Sequence, residues 1–249
     1  TLFKIGPLKF LLGTTWKPGN DIFGILPMIL GSIYVTAGAI LVGVPIGLLT
    51  AIYMSKFASP RINKVMLPAV QLLAGIPSVV YGLVGMLVLV PAIRKTFHLP
   101  DGASLFAAII VLAVMILPII TSMSRDIFLQ TPRLQEEAAL ALGATKWEMV
   151  KLAVLPFGKS GVVSASMLGL GRALGETMAV LMILSPGLNY SVKLLQASQN
   201  QTIAANIAAQ YPEANDLGVS VLIGTGLVLF LITFVVNFIA RKLTEKASV

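Results

Sequence analysis

An all-α bundle of membrane-spanning helices is the fold class that this sequence predicts, and three observations carry the prediction. Only 11% of the residues are charged and 57% are hydrophobic, whereas soluble domains carry about 25% charged residues. Long stretches contain no charge at all. Lysines and arginines gather between those stretches, and mostly on one side. With this composition, 1–249 reads as a single transmembrane domain rather than one or two soluble ones.

Charge-free runs extend from Ile22 to Ser55, Val65 to Ile93, Gly102 to Ser124 and Leu217 to Ala240. Each exceeds the roughly 20 apolar residues that cross a hydrocarbon core. A fifth, from about Ser160 to Ser185, is interrupted only by Arg172 and Glu176. Five helices follow. Pro27, Pro45, Pro68, Pro118 and the glycines at 31, 43, 47, 75, 82 and 85 read as kinks and close helix contacts, which membrane helices tolerate. Pro77 is different, because Ser78 beside it and Gln71 nearby put polar groups next to a helix break.

Orientation follows from the basic residues. With the 125–159 segment inside, that side carries Lys56, Arg61, Lys64, Arg125, Arg133, Lys146, Lys151, Lys159, Arg241, Lys242 and Lys246. The other carries Lys4, Lys9, Lys17, Arg94, Lys95 and Lys193. The bias places the C-terminus in the cytoplasm. Five spans then leave Thr1 outside without a secretory signal, which predicts a further helix upstream. The external loop, about 186–216, carries Ile203, Ile207 and Tyr211 at helical spacing. A short helix lying on the membrane or against a partner is expected there. Asn200-Gln201-Thr202 matches a glycosylation triplet, a pattern too common to carry weight.

Several functions are excluded. The absence of cysteine removes disulfides and thiolate metal sites, and His98 alone makes no metal cluster. The net charge of +8 is scattered between apolar runs, so no nucleic-acid footprint exists. Gly158-Lys159-Ser160 ends like a phosphate-binding loop, but Ala153 stands where that loop needs glycine. Gly169 and Gly171 begin a dinucleotide fingerprint that Leu174 breaks.

Two constellations remain. In the first, the alanine-rich stretch Glu136 to Leu142 favours a helix, and Gly143 can end it in a left-handed turn. A second stretch follows with Trp147, Val150 and Val154 roughly on one face. A helix, a turn and a helix protruding between two spans form a knob that a partner's groove can hold. An interfacial helix capping the bundle is the plainer alternative. Glu137-Ala138-Ala139, three residues, Gly143-Ala144 and then Leu155-Pro156 resemble the EAA loop of ABC importer permeases, with Ala153 where isoleucine is usual. That resemblance implies the importer permease fold of the type I kind. It makes Glu137, Ala138, Ala139, Gly143 and Ala144 the coupling helix that docks on the ATPase.

In the second, Gly169 to Val180 contains Arg172 and Glu176, four residues apart and so expected to pair on one helix face. An arginine at mid-membrane costs about 2.5–3.5 kcal/mol on insertion scales, which makes it a functional candidate before a structural one. Gly171 and Gly175 would admit a helix or an anion to the backbone. Together with Leu73 to Gly82, this segment resembles the permeases of phosphate-specific importers, PstC and PstA, and its Gly-Arg-Ala-Leu-Gly-Glu-Thr-Met-Ala form is closer to PstC. The resemblance runs from Phe23 onward. It implies an anion pathway lined by Arg172, Glu176, Thr177, Ser78 and Gln71, with Arg172 forking onto the oxyanion. It also implies a PstA-like second permease subunit in a heterodimer and a PstS-like extracytoplasmic phosphate-binding protein. A PstB-like ATPase dimer would bind ATP and Mg, leaving this chain without a cofactor, in a bacterial or archaeal cytoplasmic membrane. A sulfate or molybdate permease, a proton-coupled secondary transporter using Glu176 and a non-transporting scaffold are the other readings.

Overall fold

The computed structural model describes residues 6–184, Leu195 and 201–247, with side chains to Lys242. Apart from a two-stranded antiparallel hairpin, β1 (Trp16–Lys17) and β2 (Ile22–Phe23), the elements are helices. These are α1 (Pro7–Leu12), α2 (Leu26–Ile52), α3 (Pro60–Gly75), α4 (Ser78–Val84), α5 (Val90–Phe97), α6 (Leu105–Leu129), α7 (Arg133–Ala141), α8 (Lys146–Met149), α9 (Leu155–Leu174), α10 (Met178–Ile183), α11 (Ile203–Gln210) and α12 (Asp216–Ala247). Turns of π-helix at Tyr53–Phe57, Gly85–Leu89 and Val150–Val154 prolong α2, join α4 to α5 and join α8 to α9.

Among the described residues five helices are long and apolar enough to cross a membrane: Leu26–Phe57, Ser78–Phe97, Leu105–Leu129, Lys146–Leu174 and Asp216–Lys242. The expected number holds, but two boundaries move. The run Val65 to Ile93 is cut at Ile76–Pro77, because Pro77 cannot continue α3 and Ile76 before it is extended, with φ −70° and ψ 129°. Pro45, Pro68 and Pro118, by contrast, stay inside helices. The run near Ser160 begins earlier, at Lys146, and its helix stops at Leu174.

The chain divides into two compact units, each drawn from three segments. The first comprises Thr1–Ala39, Pro77–Leu112 and Arg172–Val235. Its buried cluster joins Phe10, Trp16, Phe23, Ile25 and Met28 to Ile203, Val221 and Leu222. Trp16 meets its strand partner Phe23 edge-on, ring centroids 5.2 Å apart. The helix foreseen around Ile203 is α11, capped by the Thr202 hydroxyl accepting the Ala205 N–H. Its apolar face is spent within this unit: Ile203 is fully buried, and its N–H donates to Ser32 Oγ at 3.0 Å. Tyr211, expected on the same stripe, is 61% exposed. Within the loop expected outside, 186–194 and 196–200 lie outside the described residues, and with them Lys193 and Asn200 of the triplet.

The second unit comprises Ile40–Ile76, Ala113–Gly171 and Val236–Val249. Here Gly43 and Gly47 of α2 receive Ile116 and Ile120 of α6, and Thr121 Oγ1 donates to the Gly47 carbonyl at 3.3 Å. Small residues thus bring two helices close enough for a side chain to bond across them. A separate cluster of Ala51, Ile52, Phe128, Met149, Val150 and Val154 lies beside α7.

Candidate substrate pathway and coupling helix

Arg172 and Glu176 do not share a helix face. Helix α9 ends at Leu174, Gly175 to Thr177 form a break, and α10 starts at Met178. Glu176 is 8% exposed and lies in the break, where its Oε1 accepts the Ala179 N–H at 3.1 Å. It satisfies one of the donors that any helix start leaves open. Thr177 Oγ1 donates to the Gly175 carbonyl at 3.2 Å. Among the described residues no ion pair joins Arg172 to a carboxylate. The expected pair fails because Gly175, the poorest helix former after proline, ends the helix between its two members.

Arg172 sits in the last turn of α9, where a cation suits the carbonyl end of the helix dipole. Its Nε is buried without a hydrogen-bond partner. An unused guanidinium N–H, sheltered from water, is a costly arrangement unless a ligand uses it.

The packing of α4 on α10 builds the rest of the site. A Cβ on Gly82 would meet the Ala179 Cα at 2.8 Å, and one on Gly85 would meet Ile183 at 2.9 Å. Rising numbers on one helix match rising numbers on the other, so the two run parallel. Ser78, Tyr81, Gly82 and Gly85 share one face of this helix by their spacing. Tyr81 lies within the electrostatic field of Arg172. The structure therefore groups Ser78 and Tyr81 with Arg172, Glu176 and Thr177 in the first unit. Gln71 falls in the second unit, exposed on α3. Gly171, expected to let a helix approach, has open space where a Cβ would stand. Tyr81 is a further candidate that the sequence did not single out. It stood inside the Leu73 to Gly82 motif, and its spacing from Ser78 was the signal.

The segment expected to couple takes the predicted helix–turn–helix form. Gly143 has φ +88°, its N–H donates to the Leu140 carbonyl at 3.0 Å, and the Ala144 N–H reaches the Ala139 carbonyl at 3.2 Å. This double closure needs a left-handed residue, which is why glycine stands there. Glu137, Ala138 and Gly143 are exposed, while Ala139 and Ala144 are half-buried. Thr145 then starts α8 with a capping box: its hydroxyl accepts the Glu148 N–H, and Glu148 Oε2 accepts the Thr145 N–H at 2.7 Å. Trp147 departs from expectation. It is 43% exposed with Lys151 Nζ 5.5 Å from its ring centre, whereas Met149, Val150, Ala153 and Val154 are buried. The π-turn at Val150 shifts the helical register, so Trp147 leaves the face that Val150 and Val154 hold. Gly158, from the phosphate-loop look-alike, is a packing position inside α9 against Phe128.

A helix that breaks and restarts beside an arginine with a buried, unused Nε–H, in a polytopic bundle with a capped helix–turn–helix knob, has the features of a transport component. The chain belongs to the family of binding-protein-dependent transport system inner membrane components, whose model matches residues 43–249. It is a multi-pass inner-membrane permease component, and nucleotide binding in such a system falls to the ATPase subunit. It is 40% identical to the phosphate transport system permease protein PstC of Mycobacterium leprae, over 90% of this chain and 76% of that one. It is 38% identical to PstC of Mesorhizobium japonicum, over 94% and 77%. The fold is that of ABC importer permeases. The MetNI methionine transporter in an inward-facing conformation matches with a TM-score of 0.60 at 22% identity, covering 88% of this chain and 94% of that one. A bacterial transporter involved in alginate import matches with a TM-score of 0.69 at 15% identity, covering 89% and 79%.

Proposed function

We propose that this chain is the PstC-type permease subunit of an ATP-driven phosphate importer, and that Arg172 receives the anion. The observation that carries the reading is the sheltered Arg172 Nε–H without a partner, in a chain about 40% identical to PstC permeases. A guanidinium offers a planar fork of donors, and tetrahedral oxyanions accept two at once. Tyr81 and Ser78 add hydroxyls on the facing helix. Ser78 also opens a helix running on to Phe97, and the start of a broken membrane helix is a known anion-facing device. Glu176, committed to the Ala179 N–H, keeps negative charge near the path. The anion is thus held weakly enough to leave.

A second permease subunit of the PstA kind, an ATPase dimer and an extracytoplasmic phosphate-binding protein complete the machine. With the C-terminus in the cytoplasm, α7 faces the ATPase and presents Glu137, Ala138 and Gly143 to it. ATP binding and hydrolysis shift the complex between two states that expose the path to opposite sides.

The test is phosphate uptake into proteoliposomes holding this chain, its partner permease, the ATPase and the binding protein. Arg172→Ala abolishes uptake while the complex assembles and hydrolyses ATP. Arg172→Lys keeps the charge but loses the fork, and uptake falls by about 10–100-fold, the worth of one hydrogen bond to a charged group. Normal phosphate transport by Arg172→Ala would remove this assignment, and sulfate outcompeting phosphate would change the substrate.

A further inference from the structure

Among the described residues, one charged contact ties the proposed coupling helix to the end of the first span. Lys56 Nζ donates to Glu136 Oε1, and the two side chains are only 8% and 20% exposed. The other ion pair among the described residues joins sequence neighbours, Arg125 and Asp126, and the aspartate is 65% exposed. A lysine head taken out of water is tolerated when a carboxylate meets it, and strongly destabilising when left alone. The two acids of α7 divide their work: Glu137 is exposed and Glu136 turns inward.

Where Lys56 sits gives the contact its meaning. It lies in the π-turn Tyr53–Phe57 that closes the first span. A single π-turn inside a helix carries an extra residue and often marks a functional bend. That turn is also held forward, because Asn63 Nδ2 donates to the Met54 carbonyl at 2.9 Å. On the other side of α7, the chain re-enters the fourth span through a second π-turn, Val150–Val154. Ala51 and Ile52 before the first turn pack with Val150 and Val154 of the second, with Ala139 of α7 against them. Apolar contact of this kind is non-directional and permits sliding. The ion pair fixes a distance.

We propose that Lys56 and Glu136 are a positioning pair that carries displacement of the coupling helix into the first span. This rests on the reading that α7 docks on the ATPase. When a partner pulls α7, Glu136 draws Lys56 with it, and the π-turn transmits the pull to α2. Without the pair, α7 slides over its apolar bed and the span stays behind. Neither residue touches substrate or nucleotide.

The experiment uses the complete complex in proteoliposomes and reads anion uptake and ATP hydrolysis in the same vesicles. The variants are Lys56→Met, Glu136→Gln and the exchanged pair Lys56→Glu with Glu136→Lys. In each single variant the ATPase still co-purifies and hydrolysis continues. Anion moved per ATP falls by about tenfold, within the range by which single residues modulate coupling. The exchange restores most of the ratio. A wild-type ratio in both single variants overturns the proposal, and so does loss of ATPase binding in Glu136→Gln, which would make that residue part of the docking face. A wild-type complex that moves sulfate instead of phosphate would overturn the substrate reading alone, because the ratio can be read with either anion.

Discussion

Gly82 and Ala179 approach so closely that a Cβ on the glycine would stand 2.8 Å from the Ala179 Cα. The neighbour is backbone and cannot swing aside. Gly82→Ala therefore forces α4 and α10 apart, at a cost of about 1–3 kcal/mol for an overfilled contact. Tyr81 is displaced from Arg172 in the same movement. Thermal unfolding of the purified complex is expected at lower temperature, with uptake reduced. Gly171→Ala, which meets open space, serves as the comparison and leaves unfolding unchanged. Equal melting of the two variants would show that the helix contact carries no such constraint.

Tyr81→Phe removes one hydroxyl from the facing helix and preserves the ring that packs there. Where that hydroxyl donates to the anion as proposed, its loss is worth about 0.5–1.5 kcal/mol, or roughly 2–12-fold in apparent affinity. The KM for uptake should rise by that factor while the maximal rate and the melting temperature stay close to those of the wild type. A change in the maximal rate alone would assign Tyr81 to the conformational step instead.

Much of the architecture is legible in the sequence. Spans, the Pro77 break and the Gly143 cap follow from rules acting over a few residues: apolar length, a missing N–H and a left-handed turn. The Arg172–Glu176 pair was misread for a related reason. Helical spacing was carried through Gly175, although a glycine-rich, polar segment is where a membrane helix breaks. Trp147 was placed on the wrong face because a π-turn adds a residue that no periodic template contains. Tyr81 could not be matched to Arg172 from sequence, since their proximity depends on α4 lying parallel to α10. Lys56 and Glu136, 80 positions apart, were visible only as two of many charges.

Glu176 has two separable roles, and two substitutions divide them. Glu176→Gln keeps an oxygen that can accept the Ala179 N–H, so α10 still starts at Met178 and the complex assembles. The carboxylate beside the proposed path is gone, and the anion is expected to bind more tightly and leave more slowly. KM and maximal rate then fall together. Glu176→Ala also orphans the Ala179 N–H in a buried position, costing about 1–3 kcal/mol. Uptake by Glu176→Ala is accordingly lower than by Glu176→Gln, and less complex is recovered from the membrane. If both variants behaved alike in stability, the bond to Ala179 would have no structural weight.

Gly143 tests whether the geometry of the knob matters apart from its sequence. At φ +88° an alanine is strained by about 1–2 kcal/mol, the penalty of a left-handed backbone for a residue with a Cβ. No neighbour lies within 4 Å of that Cβ, so the substitution acts on the backbone and not through a clash within the chain. Gly143→Ala loosens the closure onto Ala139 and Leu140, and the end of α7 frays. Gly143→Asn, which tolerates the left-handed region better, should recover most of the loss. ATPase co-purification and ATP-driven uptake are the readouts, with the order glycine, asparagine, alanine expected in both. Alanine performing as well as glycine would mean that the docked complex does not need this turn.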